Sequence, residues 1–269
     1  MNKIYKSFLK SKYFSTKYKK YFDVYDQLFK RFVNKKITII EIGILNGGSL
    51  FMWRKYFGKN ARIIGIDLNP KTKQLEKYGF EIFNGDQSNQ KFWNHLFKKI
   101  GKVDIIIDDG GHTNSQQLLT TVYTIPNIKN GGMLVVEDTH ASYQKKFENP
   151  SKHSFINFSK KIIDDINYTF PNLGKFNYSL NNFIYSIEYF ESIVCFKIDK
   201  KKCTINVKKN NNGKKIDIDD FRHHALEVKF ASLINSNNLM LKLIGKLFFK
   251  INSFFYKKYS INKLKNYFK

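Results

Sequence analysis

The sequence predicts an α/β fold, a Rossmann-like, doubly wound and mostly parallel sheet with helical N-terminal and C-terminal extensions. Between residues 36 and 140, short β-branched apolar runs alternate with segments of helical periodicity. Continuous apolar strands that alternate with helices are typical of a parallel sheet with both faces covered. The chain of 269 residues, 42% of them hydrophobic, is also long enough to bury a large core.

The elements can be placed in chain order. Residues 1–35 are predicted to be a helical N-terminal extension, because Tyr21, Tyr25 and Phe29 recur every fourth residue and therefore share one helix face. Residues 36–200 are predicted to be the sheet domain, with five parallel strands in KITIIEI, ARIIGIDLNP, EKYGFEIFNGDQS, VDIIIDDGGH and GGMLVVEDTH. The alternating stretch SIEYFESIVCFKID predicts a strand pair that closes the sheet.

Residues 201–269 are predicted to be a basic, amphipathic helical C-terminal extension. Apolar residues between positions 240 and 255 recur at helical spacing, while Lys242, Lys246 and Lys250 lie on another face. An apolar face of this kind covers the core or an oligomer interface, which we favour, or lies on an anionic membrane surface. We therefore expect a homo-oligomer, and we keep peripheral contact with the inner membrane face as a second interpretation.

The chain carries 47 basic and 22 acidic residues, which gives a net charge of +25. Such a charge raises the expectation of nucleic acid, anionic lipid or phosphorylated substrates as partners. Only four of the basic residues are arginines, however, and lysine is abundant together with Asn, Ile, Phe and Tyr, all of which AT-rich codons specify. Because nucleic-acid readers favour arginine, we interpret the charge as a solvated lysine surface and expect no nucleic-acid partner.

Three features of the sequence bear on the location of the protein. The two cysteines, Cys195 and Cys203, have neither zinc-site spacing nor the number that a disulfide framework needs. The N-terminus lacks the apolar run of a secretory leader. No uninterrupted run of eighteen apolar residues predicts a membrane-spanning helix. Together these features indicate a cytoplasmic protein.

A glycine-rich turn follows the first predicted strand. Its sequence, EIGILNGGS, contains Glu41, Gly43, Gly47 and Ser49, and Asp67 follows Gly48 by 19 residues. Glycines here let the backbone approach a ligand, and a carboxylate about 20 residues further on can accept both hydroxyls of a ribose. A dinucleotide prefers a G-x-G-x-x-G turn, from which Leu45 and the spacing depart. S-adenosylmethionine has no phosphate, and its cationic groups favour an acidic neighbour such as Glu41, so the turn favours that cofactor.

Acidic residues also end the later predicted strands. Asp86 and Gln87 follow the third strand and are candidates for a loop around the adenine of the cofactor. Asp108 ends the fourth strand and is a further candidate for cofactor binding. Because the carboxyl ends of parallel strands meet at one edge of a sheet, these side chains are predicted to share one rim, where ligands bind.

Asp109, Glu137 and Asp138 on the same rim form a candidate metal site. Bringing carboxylates together is costly unless a cation neutralises them, and oxygen ligands favour Mg²⁺, Mn²⁺ or Ca²⁺ over zinc. His112 follows Asp109 after two glycines and can reach this site as a general base. His140 either adds to the metal or substrate site or has a structural role. We expect His112 and Asp109 to be the catalytic residues.

These motifs resemble the class I S-adenosylmethionine-dependent methyltransferases, and within them the metal-dependent sugar O-methyltransferases of the macrocin and mycinamicin type. The resemblance lies in EIGILNGGSLFMWRKYF, IIGIDLNP, GDQSN, IIIDDGGHT and GGMLVVEDTHASY, which span about residues 20 to 145. It implies that Asp109, Glu137 and Asp138 hold a magnesium ion and that His112 is the general base.

The same resemblance implies that residues 36–200 bind S-adenosylmethionine, with Glu41, Asp67 and Asp86 in contact with the methyl donor. Leu45 departs from the family pattern, because it stands where the general methyltransferase motif has its middle glycine. The lysine-rich tail beyond residue 221 is not explained by the resemblance.

The expected function is transfer of a methyl group from S-adenosylmethionine to a sugar hydroxyl, with Mg²⁺ or Mn²⁺ as the metal. The expected acceptor is a nucleotide-linked sugar or a precursor of a surface polysaccharide such as capsule or lipopolysaccharide. A phosphorylated, phosphoramidate or catechol-like small acceptor is an alternative on the same fold. A non-catalytic binding module, which keeps the cofactor and docks through its basic tail, is an alternative of a different class.

Overall fold

The computed structural model describes residues 2–147, 151–168, 180, 182–216 and 230–268 of the chain. The chain divides into two compact units, Met1–Lys208 and Lys209–Lys269. The domain boundaries that the sequence predicts after residues 35 and 200 stay predictions.

Among the described residues, seven strands form one sheet in the first unit. They are β1 (Thr38–Ile42), β2 (Arg62–Asp67), β3 (Glu81–Asn84), β4 (Val103–Asp108), β5 (Ile128–Val136), β6 (Ile184–Phe190) and β7 (Ile193–Ile198). The strand order is β3-β2-β1-β4-β5-β7-β6, with β1 to β5 parallel and β7 antiparallel to both β5 and β6. The predicted α/β fold with a mostly parallel sheet is therefore confirmed.

The α-helices whose bounds the structure describes follow the predicted alternation. They are α1 (Lys3–Leu9), α2 (Tyr21–Phe29), α3 (Gly48–Phe57), α4 (Gln90–Ile100), α5 (Asn114–Thr124), α6 (Phe155–Tyr168) and α7 (Leu239–Leu264). Residues 230–234 are helical as well. Short 3₁₀ helices include Pro70–Tyr78 and Thr139–Tyr143.

Apolar layers cover both faces of the sheet. Neighbouring residues of β1 point into different layers: Ile39 packs with α1, α2 and α3, whereas Ile40 packs with α4 and α6. Both isoleucines are fully buried. This two-sided burial explains why the parallel strands appear in the sequence as continuous apolar runs.

The aromatic face of α2 is part of the first layer. Tyr25 and Phe29 are fully buried, and the Tyr25 ring lies edge-on to Trp53 of α3, with the ring centroids 5.1 Å apart. The N-terminal helices are therefore packed on the sheet at the side of α3, close to the carboxyl ends of the strands.

In the second unit, α7 is capped by Asn238, whose side chain accepts hydrogen bonds from the backbone N–H groups of Met240 and Leu241. Large apolar side chains along α7 are exposed, including Leu243 (59%) and Leu247 (58%). No helix in the described part of the chain has the length and apolarity needed to cross a membrane. Residues 221–229 of the tail lie outside the described residues.

Candidate functional site

A cavity of about 660 Å³ opens at the carboxyl ends of the parallel strands. Its walls come from the turns after β1 and β2, the loops after β3, β4 and β5, and residues 14–18 of the N-terminal extension. This size is typical of small-molecule sites, and the position is where open α/β sheets bind ligands.

The turn after β1 meets the end of β4 backbone to backbone. Gly43 has a φ of +80°, and a Cβ atom there would lie 2.0 Å from the carbonyl oxygen of Asp109, so only glycine fits. Asp67 at the end of β2 accepts hydrogen bonds from the backbone N–H groups of Ile44 and Leu45, at 3.1 and 3.0 Å. The side chain of Leu45 is exposed. The turn therefore has space for a leucine, but the φ of Leu45 is +40°, in the left-handed region that favours glycine.

The cavity brings together part of the predicted cofactor set. Four of those residues line it: Gly43, Ser49, Asp67 and Gln87. The other four, Glu41, Gly47, Asp86 and Asp108, are not among its lining residues. The metal and catalytic candidates Asp109, His112, Glu137 and Asp138 all line it.

Two buried carboxylates support residues of the cavity wall. Glu41 is fully buried, and its Oε2 accepts a hydrogen bond from Ser49 Oγ at 2.7 Å. Asp108 is 1% exposed, and its Oδ1 accepts a hydrogen bond from Gln87 Nε2 at 2.9 Å. Burial raises the pKa of both carboxyl groups to about 7. Gln87 in turn accepts a hydrogen bond from the backbone N–H of Gly111 at 3.0 Å, so these contacts hold the loop after β4 in place.

Asp109, His112 and Asp138 converge on one wall of the cavity. One ligand atom from each lies within 4.8 Å of the others. His112 Nε2 is 3.4 Å from Asp138 Oδ2 and 3.9 Å from Asp109 Oδ1. His112 Nδ1 is buried and has no hydrogen-bond partner among the described residues. Two carboxylates beside an imidazole suit a divalent cation such as Mg²⁺ or Mn²⁺.

Glu137 lies beside this group with both carboxylate oxygens already bonded. Its Oε1 accepts a hydrogen bond from the Tyr25 hydroxyl at 2.6 Å, and its Oε2 accepts one from Lys17 Nζ at 2.7 Å. Lys17 Nζ also donates to Asp109 Oδ2 at 2.6 Å. The sequence predicts Glu137 as a metal ligand together with the two aspartates, whereas in the structure His112 is the residue that offers a ligand atom near both of them. The positive charge beside Glu137 is the lysine ammonium.

The charge of Lys17 is maintained by its neighbours. Burial opposes the charged form, but attraction to Asp109, Glu137 and Glu41 outweighs it and raises the pKa of Lys17 well above its ordinary value. The ammonium group is therefore protonated at neutral pH, and it neutralises carboxylates that the sequence predicts to bind a metal ion.

The N-terminal extension also contacts Asp138, another predicted metal ligand, through Tyr21. The Tyr21 hydroxyl donates to Asp138 Oδ1 at 2.5 Å. The sequence predicts only a shared helix face for Tyr21 and Tyr25, and it predicts no role for Lys17. Helical periodicity could not have added Lys17 to that face, because α2 begins at Tyr21 and residues 11–18 are not helical.

His140 does not line the cavity. Its Nδ1 contacts Ser192 Oγ, and its ring lies edge-on to Tyr18 with the centroids 5.8 Å apart. These contacts favour the structural interpretation of His140.

Comparisons with known proteins relate the chain to O-methyltransferases, although no family model matches it. The 8-demethyl-8-alpha-L-rhamnosyl tetracenomycin-C 2'-O-methyltransferase of Streptomyces olivaceus is 30% identical over 158 residues, which cover 55% of this chain and 41% of that protein. The mycinamicin VI 2''-O-methyltransferase of Micromonospora griseorubida is 30% identical over 130 residues, which cover 46% and 32%. The demethylmacrocin O-methyltransferase of Streptomyces fradiae is 29% identical over 156 residues, which cover 54% and 39%. The predicted resemblance is confirmed.

The chain spans less than half the length of these curated relatives. Among solved structures, the MycE methyltransferase from the mycinamycin biosynthetic pathway, in complex with Mg, SAH and mycinamycin VI, is similar with a TM-score of 0.66 and 22% identity. The match covers 76% of this chain and 54% of that chain. A complex of MycE with Mg and SAH gives a TM-score of 0.63 at 23% identity over 73% and 53% of the two chains. These likenesses show that the fold is shared.

Proposed function

We propose that this chain is a divalent-metal-dependent O-methyltransferase that uses S-adenosylmethionine and acts on a sugar hydroxyl. The observation that carries the proposal is the convergence of Asp109, His112 and Asp138 on the wall of a cavity that Asp67 also lines. The names of the curated relatives, O-methyltransferases of rhamnosyl tetracenomycin and mycinamicin, support it.

Each residue of the cavity has a task in this proposal. Asp109, Glu137 and Asp138 would hold the metal ion, and Asp67 would accept hydrogen bonds from the ribose of the methyl donor. When bound, the metal ion lowers the pKa of a sugar hydroxyl, and S-adenosylmethionine supplies an activated methyl group. His112 Nε2 takes the proton from that hydroxyl. The cavity walls orient the hydroxyl oxygen toward the methyl carbon.

The first test is calorimetric titration with S-adenosylhomocysteine after chelator treatment, without and then with Mg²⁺ or Mn²⁺. We expect a dissociation constant in roughly the micromolar range, as for other enzyme ligands. Absence of binding under every metal condition would contradict the methyltransferase proposal.

The metal site is tested by Asp138→Asn. We expect methyl transfer to fall about a hundredfold or more, since the ion loses a charged ligand, while binding of S-adenosylhomocysteine stays nearly unchanged. Glu191→Gln is the control, because that carboxylate is exposed and pairs only with Lys20 among the described contacts. Full activity in excess chelator would contradict metal dependence.

We further propose that the acceptor is a nucleotide-linked sugar or a capsule or lipopolysaccharide precursor. The net charge of +25 supports an anionic acceptor, because a positive surface attracts it over a distance. The alternative is a phosphorylated, phosphoramidate or catechol-like acceptor. Methyl transfer from radiolabelled donor to a panel of nucleotide sugars, sugar phosphates, free sugars and catechols decides between them, with kcat/KM as the readout.

The exposed apolar and basic residues of α7 favour one partner besides the substrate. We propose that this helix lies on an anionic membrane surface at the cytoplasmic side. The homo-oligomer expected from the sequence stays a prediction, which sedimentation velocity can check.

A further inference from the structure

The strap, residues 11–20 between α1 and α2, places an ammonium group among three carboxylates. The Lys17 side chain is 2% exposed, and its Nζ lies 2.6 Å from Asp109, 2.7 Å from Glu137 and 3.8 Å from Glu41. Burial of a charge is costly and is tolerated only where its partners are close. Lys17 is therefore a specific part of the site and differs from the solvated lysines of the surface.

The path of the strap is fixed by contacts with α3. Ser11 Oγ donates to the carbonyl oxygen of Gly48 at 2.6 Å, and the Tyr13 ring packs against Phe51 with centroids 5.5 Å apart. A Cβ atom on Gly48 would lie 2.3 and 2.5 Å from the carbonyl oxygens of Tyr13 and Phe14. The glycine at the start of α3 thus provides the space through which the strap passes on its way to the carboxylates.

The strap also contributes to the cavity. Residues 14–18 belong to its wall. Movement of Lys17 away from the carboxylates therefore changes the shape of the cavity as well as its charge.

We propose that Lys17 is a tethered cation that competes with the divalent metal ion for Asp109 and Glu137, so that metal binding releases Lys17 and moves the strap. This inference rests on the metal site of the proposed function. Both cations depend on the same carboxylates, and two cations at one site repel each other. A divalent ion neutralises more of the carboxylate charge than one ammonium group does, so it displaces Lys17 once its concentration is sufficient.

The competition is tested by titrating Mn²⁺ alone into wild-type protein, Lys17→Met and Lys20→Met, followed by calorimetry. We expect Lys17→Met to bind Mn²⁺ about tenfold or more tightly than wild type, because no buried ion pair has to be broken first. Lys20→Met is the matched control, since Lys20 and its partner Glu191 are both exposed, and its Mn²⁺ affinity should equal that of wild type. Equal or weaker binding by folded Lys17→Met would overturn the proposal.

A second readout uses the wild-type chain and does not depend on the folding of a variant. Lysines are acylated with an amine-reactive reagent, with and without saturating Mn²⁺, and the modified positions are mapped by mass spectrometry. We expect Lys17 to be protected without metal and modified when metal is bound, whereas Lys20 reacts alike in both states. Protection of Lys17 at saturating Mn²⁺ would overturn the proposal.

Both readouts use the metal alone, so they separate this inference from the proposed function. Release of Lys17 by Mn²⁺ without methyl transfer to any acceptor would contradict only the proposed function. Absence of Mn²⁺ binding to wild type and Lys17→Met would overturn this inference together with the metal part of the proposed function.

Discussion

His112 is held in a strained backbone conformation beside the two aspartates. Its φ is +60°, and its ring lies edge-on to Phe147 with the centroids 6.3 Å apart. Non-glycine residues in the left-handed region cost of order 1 kcal/mol and cluster at functional sites. For His112→Gln we expect turnover to fall about a hundredfold or more, as for loss of a general base. Mn²⁺ affinity measured by calorimetry should stay close to that of wild type. A loss of affinity equal to that of Asp138→Asn would instead assign His112 as a metal ligand.

Gly43 supports the site through its lack of a side chain, and Gly101 offers a matched comparison. The two residues have φ values of +80° and +75°, but a Cβ atom on Gly101 would meet nothing within 4 Å. We expect Gly101→Ala to lower the free energy of unfolding by about 1–2 kcal/mol from backbone strain alone, because its φ of +75° and ψ of −164° form a conformation that is essentially restricted to glycine. Gly43→Ala should lower it by about 3 kcal/mol, since it also overlaps the carbonyl of Asp109. Urea denaturation measures both, and equal losses would contradict the close approach of the two backbones.

At the residue scale, the sequence predicted the site residues that directly follow strands. It did not predict Lys17, which is distant from the other site residues in the sequence. Asp109 and Asp138 could be placed together because each follows an apolar strand, and the ends of parallel strands share an edge. Lys17 could not be placed, since its hydrogen bonds span 92 and 120 residues. Nothing in a lysine-rich segment separates a buried lysine from its exposed neighbours.

Helix α5 begins directly after the loop that carries His112, and Thr113 is its N-terminal cap. Thr113 accepts a hydrogen bond from the backbone N–H of Gln116 at 3.3 Å, and the Gln116 side chain accepts one from the backbone N–H of Thr113 at 3.2 Å. Asn89 caps α4 in a comparable way, accepting from the backbone N–H of Lys91 at 2.9 Å. We expect Thr113→Ala and Asn89→Ala each to lower the free energy of unfolding by about 1 kcal/mol.

Only Thr113→Ala should also lower turnover, because a frayed start of α5 loosens the loop that carries His112. The two variants are compared at a temperature where both remain folded, with kcat as the measurement. Equal turnover in the two variants would show that the cap contributes to stability alone.

At the element scale, the parallel strands were predictable because burial on both faces makes them continuous apolar runs. The closing pair β6 and β7 was predictable because apolar and polar residues alternate along it. The strap was not predictable, since it has no regular secondary structure and is fixed by side-chain contacts with α3 and the carboxylates. Such contacts leave no periodic pattern in the sequence.

At the scale of the whole molecule, the C-terminal part of the chain carries charged side chains of one sign only. Residues 230–269 contain eight lysines and no acidic residue, and α7 exposes Leu243, Leu247 and Phe254 by 59%, 58% and 65%. A second copy of this helix would bring like charges together, and nucleic acid would leave the apolar side chains in water. An anionic bilayer suits both the lysines and the apolar residues.

We therefore expect the chain to co-sediment with vesicles that contain phosphatidylglycerol and to stay in solution with phosphatidylcholine vesicles. Reversal of Lys242, Lys246 and Lys250 to glutamate should weaken binding by about a hundredfold or more, since each lysine near an anionic surface contributes about 1 kcal/mol. The control reverses the exposed loop residues Lys209, Lys214 and Lys215, which changes the net charge by the same amount. If both triple variants lose binding equally, the attraction is a property of the net charge and α7 is not the contact. Retained binding by the control variant alone, with loss on Leu247→Ser in α7, would assign the contact to this helix.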